Sequence, residues 1–109
     1  KDYNKIMIFL DSNHTHEHVL AELKAYAELT SVGSYIVAFD TVIEYLPDNH
    51  LPDNSNPSVA EARMYKKGNS PMSAVNEYLK NNDDFEIDFK IDNKLLISVA
   101  PRGYLKRVK

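Results

Sequence analysis

The sequence predicts an α/β domain read as β-α-β-loop-α-β-β, with helices on both faces of a mostly parallel sheet that closes with an antiparallel C-terminal hairpin. Three observations carry this. Two apolar runs, IMIFLD (Ile6–Asp11) and YIVAFD (Tyr35–Asp40), each end in a carboxylate and flank a helical pattern. That is the spacing of a βαβ unit with a parallel strand pair and a right-handed crossover. Near the C-terminus FEIDFKI alternates strictly between apolar and polar residues and is followed by the apolar run LLISVA.

The elements follow in order. Ile6–Asp11 has the unbroken apolar character of a strand buried on both faces. From Thr15 to Leu29 the pattern turns helical, with Val19, Leu23 and Tyr26 at i, i+4, i+7 and Leu20 and Ala27 beside them. Gly33 and Ser34 punctuate before the second strand. Residues 45–70 carry three Pro and many Asn, Asp and Ser, and read as a long loop of the kind that serves as a lid. Within it SVAEARMY is compatible with a short helix. Ser70-Pro71 is an N-cap followed by Pro at the first helical position, opening a helix with Met72, Val75, Tyr78 and Leu79 inward. Phe85–Ile91 reads as a strand with one wet face, Asp92-Asn93 as a turn, and Leu95–Ala100 as its antiparallel partner. Pro101-Arg102-Gly103 then ends the hairpin before a short tail.

With 109 residues the chain is expected to form a single domain. A net charge of -3 gives no basic field for nucleic acid or an anionic membrane, and no apolar run reaches the roughly 20 residues of a membrane span. The absence of Cys excludes disulfide and thiol chemistry and suits the cytoplasmic setting expected here. The chain opens on Lys1 rather than Met, as an expressed segment, a processed product or a fragment of something longer would.

Ligands of open α/β sheets bind at the carboxyl ends of the strands. Asp11 and Asp40 end the two strands of one βαβ unit, so their carboxylates are expected to converge there. Two carboxylates suit a hard cation such as Mg²⁺. His14, three residues beyond Asp11, would overhang the same crevice with an imidazole able to take a proton from a substrate hydroxyl. Each Asp also has a plainer reading as a cap or turn residue, which the repetition at adjacent strand ends weakens. His16 and His18 read as an exposed first helical turn, and His50, in the polar loop, carries little information.

The blocks FLDSNHTHEHVLAELKAYAELTSVGSYIVAFDTVIE, GNSPMSAVNEYL, FEIDFKIDNKLLIS and PRGYLKRV resemble the C-terminal half of the cephalosporin hydroxylase/rhamnosyl O-methyltransferase family. The resemblance covers nearly the whole chain except residues 45–65. It implies a partial Rossmann-like, class I methyltransferase three-layer sandwich, which binds S-adenosylmethionine (SAM) and methylates hydroxyls of sugars and related natural products, commonly with Mg²⁺. By the same resemblance Asp11 is the metal-binding Asp that ends the family's fourth strand, His14 the catalytic base, and Asp40 the second acid of the Glu-Asp pair after the fifth strand. The sequence departs from that pattern at Phe39, which replaces the first acid of the pair. It also departs in its glycines: Gly33, Gly68 and Gly103 form no G-x-G turn for SAM.

The leading expectation is therefore the acceptor and metal side of a SAM-dependent O-methyltransferase, with a small hydroxyl acceptor as partner. Self-association through the Ile6–Asp11 strand edge, or pairing of that edge with an N-terminal half, is expected as well. A second reading, favoured by Phe39, is a non-catalytic interaction module. A third takes the hydroxylase name literally, with Asp11, His14 and His18 as an iron-binding triad.

Overall fold

The computed structural model describes residues 4–47 and 64–109. In these the chain forms β1 (Ile8–Leu10), α1 (His16–Tyr26) running into a 3₁₀ turn at Ala27–Leu29, and β2 (Tyr35–Ala38) with a 3₁₀ turn at Thr41–Tyr45. Then come α2 (Pro71–Lys80), β3 (Phe85–Ile87), α3 (Phe89–Leu95) and β4 (Tyr104–Arg107). The four strands make one sheet in the order β1-β2-β4-β3. β1 and β2 are parallel, with Leu10 opposite Ala38, and β4 lies antiparallel between β2 and β3. The expected βαβ unit is thus present, but the expected mostly parallel sheet is corrected: β1–β2 is the parallel pairing, and β2–β4 and β3–β4 are antiparallel.

The expected C-terminal hairpin is corrected. The strand predicted over Phe85–Ile91 stops at Ile87, and Phe89–Leu95 is a helix. Asp88 starts it: its carboxylate accepts from the Lys90 N–H at 3.0 Å, the hydrogen bond that favours Asp at a helix N-cap. The predicted strand Leu95–Ala100 does not form. Leu96 takes a positive φ of 61°, the chain bends, and the partner strand is Tyr104–Arg107, which had read as a tail. Pro101-Arg102-Gly103 enters that strand instead of ending one.

The core lies between the sheet and the α1–α2 pair. Leu10, Ile36, Ala38, Phe85 and Leu105 from the sheet meet Val19 and Leu23 of α1, Ala27 of the 3₁₀ turn after it, and Ala74, Val75 and Tyr78 of α2. The inward stripe of α1 and that turn is therefore Val19–Leu23–Ala27, and Tyr26, expected inside, is exposed. Alternation along a strand sends the next residues to the opposite face. There Val37 is fully buried, whereas Phe9 is 58% exposed. The expectation that Ile6–Asp11 is buried on both faces is corrected accordingly: Ile6, Met7 and Phe9 are all exposed. Tyr35, on the Val37 face, donates to Asp88 at 2.7 Å and ties β2 to the start of α3. That hydrogen bond, the largest cause in both groups, raises the Tyr35 pKa and lowers that of Asp88. Among the described residues no helix is long and apolar enough to cross a membrane.

The expected cap of α2 is present and does more than cap. Ser70 accepts from the Ser73 N–H at 3.2 Å, and the Ser73 hydroxyl accepts from the Ser70 N–H at 3.0 Å, a reciprocal box. The Ser70 hydroxyl itself donates to Glu44, whose carboxylate also accepts from the Gly68 N–H. Ser70 is fully buried. Ser70→Ala is expected to cost about 1–2 kcal/mol, since it uncaps the helix and removes one of the donors to the half-buried Glu44 carboxylate. Urea denaturation checks this, and a loss within about 0.5 kcal/mol, the range of an ordinary surface change, would contradict it.

Candidate functional site

The crevice is built by the parallel pair. One step past the strands the ladder continues, with the Phe39 N–H donating to the Leu10 carbonyl at 3.0 Å. Asp11 and Asp40 therefore leave the sheet side by side. Asp40 then turns sharply, with φ of 55°, a left-handed conformation that Asp tolerates better than most residues. The turn after it is held from behind. The Thr41 hydroxyl, fully buried, donates to the Pro101 carbonyl at 2.6 Å, and the Val42 N–H donates to the Val99 carbonyl at 3.3 Å.

His14 sits on the irregular stretch between β1 and α1 and points back over this turn. Its Nε2 is 3.2 Å from Asp40 Oδ2. Ligand-capable atoms of Asp11, His14 and Asp40 lie within 4.8 Å of one another, with Asp11 exposed and the other two half-buried. The three residues singled out in the sequence thus come together. Two carboxylates and one imidazole make a donor set that fits a divalent cation, the oxygens suiting a hard ion such as Mg²⁺. Phe39, where a third acid was expected, packs its ring on Phe9 at 5.9 Å between centroids.

The other histidines separate. His16 was expected on an exposed first turn; instead it staples α1 to α2. Its Nδ1 is 2.7 Å from Ser73 Oγ, its Nε2 2.8 Å from Glu77 Oε2, and its backbone N–H donates to Asn69 Oδ1 at 2.8 Å. His18 turns to Ser12 Oγ at 3.0 Å and lies 3.4 Å from Glu22. It does not join Asp11 and His14, so the iron-triad reading loses its second imidazole. His50, most of the predicted lid and residues 58–63 of the proposed short helix lie outside the described residues.

One neighbour of the site was not foreseen. The Tyr65 ring stands 5.5 Å from the His14 ring at 74°. Tyr65 had been read only as part of a possible short helix, and no local pattern in the sequence links it to His14.

Paired strand-end carboxylates with an imidazole beside them, at the carboxyl edge of an α/β sheet, define an α/β protein with a polar, cation-compatible crevice. Its family is established by comparison. The chain belongs to the rhamnosyl O-methyltransferase/CmcI family, whose model matches residues 1–108. It is 35% identical over 107 residues to the rhamnosyl O-methyltransferases of Mycobacterium tuberculosis (strain ATCC 25618 / H37Rv) and Mycobacterium bovis (strain BCG / Pasteur 1173P2), covering 94% of this chain and 36% of each of theirs. The Mycobacterium leprae (strain TN) protein of the same name is 29% identical over 104 residues, covering 94% of this chain and 39% of its own. The chain thus spans somewhat over a third of the length of the curated relatives it matches. No solved structure matches it significantly.

Proposed function

We propose that this chain forms the acceptor and metal side of a SAM-dependent O-methyltransferase acting on a hydroxyl of a sugar or related natural product. The observation that carries the reading is the meeting of Asp11, His14 and Asp40 at the carboxyl ends of a parallel strand pair, in a chain of the rhamnosyl O-methyltransferase/CmcI family.

In this reading Asp11 and Asp40 hold Mg²⁺, which when bound makes the acceptor hydroxyl more acidic. His14 receives the hydroxyl proton. Its Nε2 stands 3.2 Å from Asp40 Oδ2, an ion pair once the ring has taken the proton. The residues of the crevice offer no Gly-rich cradle for SAM, and we assign its binding to the length of the relatives that this chain does not cover. The sheet is then the C-terminal part of a Rossmann-like domain, and residues 45–70 its lid.

A second reading, an interaction module without catalysis, is favoured by one observation. Phe39 removes an acid and pairs with the exposed Phe9 instead. Calorimetry separates the two. Titrating the full-length protein with Mg²⁺ and with SAM is expected to show binding of both, with Asp11→Ala losing Mg²⁺ affinity at least tenfold, as loss of a direct ligand should. Absence of heat from both ligands in the wild-type protein would sink the enzymatic reading.

A further inference from the structure

We propose that Tyr65 is a positioning residue for His14, holding the imidazole over the two carboxylates; this rests on the reading of His14 as proton acceptor. His14 itself is poorly secured by its own segment. It lies on the irregular chain between Leu10 and His16, where the local constraint is the Thr15 N–H donating to Asn13 Oδ1 at 3.0 Å. The ion-pair contact with Asp40 at 3.2 Å reaches one ring nitrogen and does not set the ring plane. Tyr65 supplies the second constraint. Near-perpendicular rings at 5.5 Å lie in the favourable edge-to-face range for aromatic rings.

The tyrosine can serve this purpose because its own backbone is anchored to the elements that carry the site. Just after it, Lys66 and Asn69 close a tight turn through hydrogen bonds of 2.9 and 2.8 Å. Asn69 donates back to the Met64 carbonyl at 2.9 Å and accepts from the His16 N–H at 2.8 Å. That second bond pins the segment to the start of α1, two residues beyond His14. From the other side Glu44, in the turn that follows Asp40, accepts from Gly68 N–H at 3.0 Å. The turn bearing Tyr65 is therefore fastened to both halves of the crevice at once. A contact made from such a frame holds the imidazole against the carboxylates, where a displacement of about 1 Å costs on the order of 100-fold in rate.

The test uses the full-length protein isotope-labelled at histidine Cε1, with the His14 signal assigned by its loss in His14→Gln. Tyr65→Phe, which keeps the ring, is expected to leave that signal sharp and in place. Tyr65→Leu is expected to shift and broaden it, because ring current and constraint are both lost. In methyl transfer from SAM to a rhamnoside, Tyr65→Leu is expected to lower kcat roughly 10- to 100-fold with the KM for SAM unchanged, and Tyr65→Phe to restore it. A His14 signal unmoved in Tyr65→Leu, or a wild-type kcat in that variant, overturns the proposal. Wild-type turnover by His14→Gln overturns the base assignment instead, and the resonance comparison still decides where Tyr65 acts.

Discussion

His14→Gln is expected to lower methyl transfer by roughly 10²–10⁴-fold, the usual contribution of a positioned general base, while the protein remains folded. The expectation of a normal fold comes from the location of the side chain. His14 is half-buried, lies outside the core cluster, and makes its polar contact to Asp40 at the crevice. A Gln amide can face that carboxylate, but it cannot take up a proton from an acceptor hydroxyl. Turnover measured with saturating SAM, beside a urea midpoint for the same variant, checks both halves. Activity within about threefold of wild type would be too small a loss for a general base and would remove His14 from the chemistry.

The second large effect falls on stability. A Cβ added at Gly103 would stand 2.3 Å from the Ala38 carbonyl oxygen and 3.1 Å from that of Ala100. Both obstacles are backbone, so neither can rotate away. The strand entry must shift, and with it the hydrogen bond from the Ala38 N–H to the Gly103 carbonyl at 2.9 Å. Overpacking of this kind costs about 1–3 kcal/mol, and the weakened hydrogen bond adds about 1 kcal/mol. Gly103→Ala is therefore expected to lower the melting temperature by about 10 °C or more in a domain of this size. A drop under about 3 °C would mean that the approach of β4 to β2 is looser than it stands. Since Ala38 is two residues from Asp40, the same variant is expected to disturb the crevice.

The two strand ends and their acids were legible because they depend on local signals: an unbroken apolar run, a carboxylate at its end, a helical period between. Ser70-Pro71 was legible for the same reason. The hairpin was not. Over a span as short as Phe85–Ile91, alternation and a helical period are hard to tell apart, and Asp88 decides the matter by capping a helix. Its true partner, Tyr104–Arg107, pairs across an intervening helix and bend, so adjacency in sequence was the wrong guide. His16 failed differently. Its partners Ser73 and Glu77 lie on another helix, and nothing near His16 announces them. The link between Tyr65 and His14 has the same origin: it exists once the turn at 66–69 is fastened in place.

The position of β1 at the end of the strand order has a consequence for affinity. It is three residues long, bonds to β2 on one side, and among the described residues has no strand on the other. Short terminal strands open locally at lower free energy than the body of a sheet. Asp11 hangs from this strand, whereas Asp40 hangs from one flanked on both sides. Whatever binds both acids must first hold β1 closed, so its apparent affinity is reduced by the fraction of time β1 spends open. The linkage runs in both directions: a ligand that bridges Asp11 and Asp40 slows amide exchange along Ile8–Leu10, and a strand laid against the outer edge of β1 tightens the binding of that ligand without touching it.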